Sequence, residues 1–321
     1  MIDFTGLPKK NKYYAGANGK KLSVVLNNEQ YMLKFPPLAN RNKDMSYTNG
    51  CFSEYIGCQI FKTIGIPVQD TLLGTYSING REKVVVACKD FTCPGVVLQD
   101  FASMKNQIIN SEQNGYGTEL EDIINTIETQ TSMDIKELTE RFWDMFIVDA
   151  LIGNWDRHNG NWGFLYNTHT DEISLAPVYD CGGCMYPQAD EKIMEKVLTD
   201  KSELEFRLYE IPLSAIMVNN KKINYYDFIS SLEYPECNNA LKRILPVIDI
   251  KKIEEIIDNT VYLSELQKNF YKTMLKERKE RILDFSLNLL MTKEKTAHQF
   301  NEMVQDLKGK EDRIQNKGKS I

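Results

Sequence analysis

The sequence has 321 residues, more than one average domain, and suits two lobes that share a cleft. Apolar residues are 42%, enough for a core, and 26% are charged with a net charge of -6, so bulk attraction to nucleic acid or an anionic membrane is not expected. No basic start followed by an apolar stretch marks a signal peptide, and no apolar run approaches the ~20 residues of a membrane span, so a cytoplasmic chain is expected.

Residues 1–12 are polar and basic and read as an unpacked lead-in. Residues 13–34 read as a β-hairpin, with strands at 22–26 and 30–35 and a turn at Asn27-Asn28-Glu29. Ahead of the first strand, Ala15-Gly16-Ala17-Asn18-Gly19-Lys20-Lys21 can bring backbone N–H groups and positive charge to a phosphate, although the same residues suit a plain bend. Pro36-Pro37 breaks the strand, and residues 40–49 form a polar loop. Ser53 is the expected cap of a helix with Ile56, Ile60, Phe61 and Ile64 on one face. Strands at 70–76 and 83–89 follow, joined through Asn79-Gly80. The order strand, strand, helix, strand, strand suits a small antiparallel sheet carrying one helix.

Residues 98–131 are mixed and polar, with a helical stretch from about Glu119. A long helix is expected over 134–152, then a polar loop, then strands at 162–166 and 173–180. From there to Leu290 the pattern is largely helical, most clearly at 241–257 and 261–290. Residues 308–321 hold charge and glycine but few apolar anchors and are expected to be disordered.

The seven cysteines, an odd count without a signal peptide, read as reduced thiols. Cys181-Gly182-Gly183-Cys184 has the C-x-x-C spacing of a redox pair or half a zinc site, but Cys88 and Cys93 have the wrong spacing for the other half. Zinc is not expected.

The polar loop carries the chemistry. Asp156 and Asn161 lie five residues apart between two buried elements. Phosphoryl transfer needs a carboxylate to accept the hydroxyl proton and an amide to hold a metal on the phosphates. Asn, Asp and Gly also build ordinary turns, so this spacing reads equally as a turn when taken alone. Lys34 at a strand end can meet phosphate oxygens, and Glu54, 20 residues on in a helix, can pair with it. Asp180 at a strand end can chelate magnesium together with Asn161. Each residue has a plain structural reading as well: a solvated strand-end lysine, a glutamate favoured by the helix dipole, a turn aspartate. It is their order along one chain that makes coincidence a poor explanation.

The chain resembles the HipA-like serine/threonine kinases over roughly residues 13–290. The residues that carry the resemblance are Asp156-Arg157-His158-Asn159-Gly160-Asn161 (D-x-H-x-x-N), Ala176-Pro177-Val178-Tyr179-Asp180 (A-P-x-Y-D), the loop Ala15 to Lys20 and Lys34. The compact length is also similar to that of the pro-inflammatory cell-translocating kinases. The resemblance implies a bilobal α+β protein-kinase-like fold. Its N-terminal lobe is a small antiparallel sheet over residues 1–90, followed by a mainly helical lobe over 91–307. It implies an ATP- and Mg2+-dependent serine/threonine kinase that also phosphorylates itself. Asp156 is then the base, and Asn161 and Asp180 are the metal ligands. Gly16, Ala17, Asn18, Gly19, Lys20, Lys34 and Glu54 serve the phosphates. Lys89 to Phe91 form the hinge that meets adenine, and His158 and Tyr179 lie near the nucleotide. A small-molecule or lipid kinase, or a nucleotide-binding toxin-like interaction protein, remains open as an alternative. Three departures matter. Asn18-Gly19 replaces the usual Gln-containing pair of the loop. Tyr13 stands where the family has a regulatory serine, so that regulation is not expected. Toxin relatives carry an extra N-terminal subdomain not seen in this sequence, so neither an antitoxin partner nor direct DNA contact is expected. Export from the cell is implied by resemblance alone.

Overall fold

The computed structural model describes residues 2–14, 20–36, 49–109 and 114–318, with side chains through residue 302 and at 305. Five antiparallel strands form the first sheet: β1 (Lys9–Lys10), β2 (Lys21–Leu26), β3 (Glu29–Lys34), β4 (Thr71–Ile78) and β5 (Arg81–Lys89), in the order β1-β2-β3-β5-β4. Helix α1 (Gly50–Ile64) connects β3 to β4. Side-chain alternation divides the sheet into two faces. Val24, Tyr31, Leu33, Val85 and Ala87 pack on one face, while Val86 and Cys88 pack with Cys51 of α1 on the other.

The expected unpacked lead-in is in fact docked. Phe4 is fully buried among Leu33, Tyr76 and Val85. Its N–H donates to the Thr75 carbonyl at 2.9 Å, and β1 pairs with β2. The polar average of the segment hides Ile2, Phe4 and Leu7, which cover a sheet face that would otherwise meet water. Gly74 makes room for them, since a Cβ there would lie 2.4 Å from the Ile2 carbonyl and from the Phe4 ring.

Helix α1 starts earlier than expected. Ser53 lies inside it and is buried, and Asn49 holds the N-cap position. The Asn49 side chain does not cap the helix; it donates to the Ala189 carbonyl at 2.8 Å and accepts from Gln267 at 3.1 Å. Tertiary contact has taken over a side chain that local logic assigns to a cap. The apolar face of α1 (Phe52, Ile56, Ile60, Phe61) enters the larger core of the helical region.

That region opens with β6 (Val96–Asp100), α2 (Phe101–Ile108), α3 (Leu120–Thr129) and α4 (Ile135–Ile152). Next come β7 (Gly163–Asn167) and β8 (Glu172–Leu175), which with β6 make a sheet in the order β6-β7-β8. The strand expected over 173–180 therefore stops at Leu175. Pro177 offers no N–H to a ladder, and Val178 makes only an isolated bridge to Val68. After α5 (Glu191–Thr199) and α6 (Lys201–Tyr209), a hairpin of β9 (Leu213–Val218) and β10 (Lys221–Asn224) stands where helix was expected. Its turn residues Asn219 and Asn220 both have positive φ (53° and 61°), the conformation tight hairpins demand. Helices α7 (Tyr225–Ser231), α8 (Pro235–Ile244), α9 (Ile250–Asp258), α10 (Glu265–Arg278) and α11 (Phe285–Gly318) complete the chain. The expected 241–257 helix is split by a 3-10 turn containing Pro246. Helical backbone also runs to Gly318, past the expected disorder boundary at 308. Residues 301–318 contain no proline and include two Glu, three Lys and two Gln, which favour helix. Among the described residues, no helix is long and apolar enough to cross a membrane.

Docking of the lead-in can be tested by Phe4→Ala. Emptying this fully buried site should cost about 3 kcal/mol in chemical denaturation. A change below about 0.5 kcal/mol, the range of surface substitutions, would show that the segment does not pack.

Candidate active site

Helix α4 is apolar along most of its last half, yet Asp149 near its end is fully buried. Gly153 ends the helix in the left-handed conformation, φ 63°. The chain then folds back onto Asp149. Asn154 Nδ2 donates to Asp149 Oδ1 at 2.9 Å, and Arg157 Nε donates to Asp149 Oδ2 at 3.0 Å. Arg157 Nη1 also donates to the Asn161 carbonyl at 2.7 Å and to the Tyr179 carbonyl. A single buried guanidinium thus joins the loop bearing Asp156 to the segment bearing Asp180.

Within the loop, His158 N donates to the Asp156 carbonyl at 2.8 Å, and Asn161 Nδ2 donates to the same oxygen at 2.8 Å. Gly160 N donates to His158 Nδ1 at 3.0 Å, which leaves Nε2 to carry the proton of a neutral ring. Tyr179 OH donates to the Gly160 carbonyl at 3.2 Å. These bonds use backbone and amide groups and leave the Asp156 carboxylate facing the cleft. Burial raises its pKa above the ordinary aspartate value, against the opposing pull of His158, and the Asp180 charge adds to the rise.

Across the cleft, Lys34 Nζ lies 2.8 Å from Glu54 Oε2 and 2.9 Å from Asp180 Oδ1. The other Glu54 oxygen accepts from Cys181 N at 3.2 Å. Burial would discharge Lys34, but Asp180 and Glu54 outweigh it and hold the ammonium well above the ordinary lysine range. Burial likewise opposes the Asp180 charge, and Lys34 outweighs it, so that carboxyl lies below its ordinary value. The two glycines after Asp180 permit this closeness. A Cβ on Gly182 would lie 3.1 Å from Glu54 Oε2, and one on Gly183 would lie 2.7 Å from Asp156 Cβ.

These groups line a cleft of about 1040 Å³ that includes Lys34, Glu54, Phe91, Asp156, His158, Asn161, Tyr179 and Asp180. Gly16, Ala17, Asn18 and Gly19 lie outside the described residues. Two expected residues do not line the cleft. Lys20 places its ammonium over the Phe35 ring at 5.3 Å, and its neighbour Lys21 is the one that lines the cleft, because adjacent strand residues point to opposite faces. Lys89 pairs outward with Glu29 at 2.5 Å, and its backbone N–H and carbonyl are used by Asp70 and Gln69. The hinge surface that faces the cleft is therefore Asp90 to Thr92.

Sequence reasoning missed Asp149, Asn154, Arg157, Lys21 and Asp90. Asp149 left a signal: a carboxylate inside an apolar helical stretch needs a buried partner. Asp90 gave none. It accepts from Lys12 at 2.5 Å, Tyr14 at 2.9 Å and Gln30 at 3.2 Å, tying the approach to residues 15–19 to the hinge. Cys181 and Cys184 are both buried against α1; a Cβ on Gly57 would lie 2.8 Å from Cys181 Cβ and 2.9 Å from Cys184 Sγ. Their role visible here is close packing beside Glu54.

The chain is similar to known proteins in sequence and fold. The serine/threonine-protein kinase CtkA of Helicobacter pylori is 51% identical over 287 residues, covering 88% of this chain and 86% of that protein. The crystal structure of a Helicobacter pylori proinflammatory kinase CtkA superposes with a TM-score of 0.85 at 50% identity, covering 89% of this chain and 96% of the other. HipA of Shewanella oneidensis, solved with HipB and operator DNA, matches at a TM-score of 0.50 and 17% identity over 90% of this chain and 66% of its own, a likeness of fold alone. The HipA-like C-terminal domain family matches residues 13–265, and with that span and these relatives the chain belongs to this family of kinase-like proteins.

Proposed function

We propose that the chain is a serine/threonine protein kinase that transfers the γ-phosphoryl group of ATP to Ser and Thr hydroxyls, its own included. The observation that carries this reading is the Lys34 ammonium, fixed between Glu54 and Asp180 on the wall that faces Asp156 and Asn161. A charged lysine at that point neutralises phosphate oxygens, and Glu54 prevents it from swinging away.

The donor set fits magnesium. Asn161 spends its amide N–H on the Asp156 carbonyl, which leaves Oδ1 for a hard cation, and Asp180 adds a carboxylate. Asn161 and Asp180 would hold Mg2+, while Lys34 and the backbone at Phe91 would hold ATP, since the N–H groups of Asp90 and Thr92 already donate to the Gln30 carbonyl and to Asp90 Oδ1. Bound MgATP supplies the phosphoryl group and neutralises charge that develops during transfer. Asp156 accepts the proton of the acceptor hydroxyl as the hydroxyl oxygen bonds to the γ-phosphorus and the bond from that phosphorus to the bridging oxygen breaks, leaving ADP. His158 and Tyr179 line the same wall and shape the space between base and phosphate.

Label transfer from radioactive ATP to a generic protein acceptor tests the reading. Asp156→Ala should lower the transfer rate by ~10²–10⁴-fold, with nucleotide affinity by calorimetry almost unchanged. Near-full turnover in that variant would remove Asp156 from the role of base. A magnesium titration gives a second check. Asn161→Ala and Asp180→Ala should both raise the Mg2+ concentration for half-maximal rate, Asp180→Ala the more because it also removes a charge. An unmoved titration in Asp180→Ala would sink the metal assignment.

A further inference from the structure

One wall of the cleft carries an unfilled strand edge. β6 is the border strand of the β6-β7-β8 sheet. Phe101 N donates to the Trp162 carbonyl at 2.9 Å, and Thr168 N to the Gly95 carbonyl at 2.7 Å. With Leu98 opposite Leu165 in the register, the hydrogen-bonded positions on β6 are therefore 97 and 99, since antiparallel pairs alternate. Leu98 turns its N–H and carbonyl away from β7, and among the described residues neither has a partner.

The exposed side chains of this edge are apolar, without the charges that guard some border strands. Lysine pairs guard two other border strands, Lys9–Lys10 on β1 and Lys221–Lys222 on β10. Such charges stop other chains from adding a strand. On β6 the corresponding residues are Val97 and Leu98, 43% and 38% exposed, and both line the cleft. Tyr116, 53% exposed, continues the surface toward the base. It is rigidly presented. Asn159 Nδ2 donates to the carbonyls on both sides of it, Gly115 at 2.9 Å and Gly117 at 2.8 Å, and buried Lys105 donates to Gly117 at 2.7 Å. Tyr116 OH donates to Asp100 at the end of β6, 3.2 Å, and its ring meets the His158 ring edge-on at 6.5 Å between centroids. β6, Tyr116 and the Asp156 loop thus form one continuous strip.

We propose that this strip docks the polypeptide acceptor as an added strand. The acceptor backbone pairs with Leu98, apolar acceptor side chains on alternate faces cover Val97 and Leu98, and the chain passes Tyr116 to bring its hydroxyl to Asp156. The proposal rests on the kinase reading and deepens it. An extended polypeptide is the occupant that fits, because it alone matches both the outward N–H and carbonyl of a strand and the apolar side chains beside them. A small polar acceptor has no use for either.

Leu98→Pro isolates the claim. Proline is tolerated on an edge strand where the N–H faces away from the ladder, so only the docking donor is lost. With myelin basic protein as acceptor, its KM should rise about tenfold, and the KM for ATP should move far less. An unchanged acceptor KM overturns the proposal. Hydrogen exchange on the unaltered chain provides a reading that does not depend on the variant folding. The Leu98 amide should exchange more slowly when myelin basic protein is added, and unchanged exchange there overturns docking. Failure of any label to pass from ATP would count against the kinase reading instead, while the exchange result still decides docking.

Discussion

The site depends on one buried guanidinium. Arg157 is bound to the Asp149 carboxylate and to the carbonyls of Asn161 and Tyr179. Those carbonyls belong to the two segments that carry Asn161 and Asp180, the pair proposed above to hold Mg2+. A buried ion pair adds little net stability, because desolvation offsets its attraction, yet losing one partner costs about 3–5 kcal/mol. Arg157 therefore works as a position-setting device more than as a source of stability. It can be so used only because α4 is anchored in the largest core and holds Asp149 still. Tyr225 OH adds a bond to the Asn154 carbonyl at 2.6 Å, so the loop is held from the α7 side as well.

Charge in the cleft is balanced in the same spirit. Lys34 carries two carboxylates within 3 Å that keep it ionised against burial, and Lys34 in turn keeps Asp180 ionised. Among the described residues no salt bridge reaches the Asp156 carboxylate, and its pKa moves the other way. Two aspartates in one cleft are thereby driven apart in proton affinity. One is suited to remain charged beside a cation, the other to take up a proton. Glycines at 182 and 183 allow this, since side chains there would collide with Glu54 or Asp156.

Much of this was legible in the sequence, and the reasons for the failures are particular. Strand alternation placed β2, β3, β4 and β5, and the helical period placed α1 and α4, because their buried faces run unbroken. Lys34, Glu54, Asp156, Asn161 and Asp180, which the structure brings to one cleft, were singled out because the proposed chemistry requires a fixed order. Lys20 was chosen over Lys21 because a one-residue change of strand face is invisible without the register. Lys89 was chosen as hinge although its backbone is consumed inside the sheet. The β9–β10 hairpin was read as helix although Asn219-Asn220 is a turn signal; the first strand, Leu213–Val218, is nearly all apolar and shows no alternation, and the second has only four residues. Asn49 and Asp90 were missed because their partners lie far away along the chain.

The position of α1 links these separate facts. Its apolar residues sit in the core of the helical region, Cys51 sits under the sheet with Val86 and Cys88, and Gly57 lies against Cys181 and Cys184. Glu54 is held among these three contacts with 1% of its surface exposed, one oxygen on Lys34 of the sheet and the other on the backbone of Cys181. The carboxylate is thus a bridge between the lobe that carries the lysine and the segment that carries Asp180. Any displacement of α1 stretches one bond or the other, and small side chains at 57, 181, 182 and 184 keep that tolerance narrow. The thiols that spacing alone suggested as a metal or redox pair are better understood in these terms: compact apolar groups that let a helix approach a turn closely enough for one glutamate to reach both.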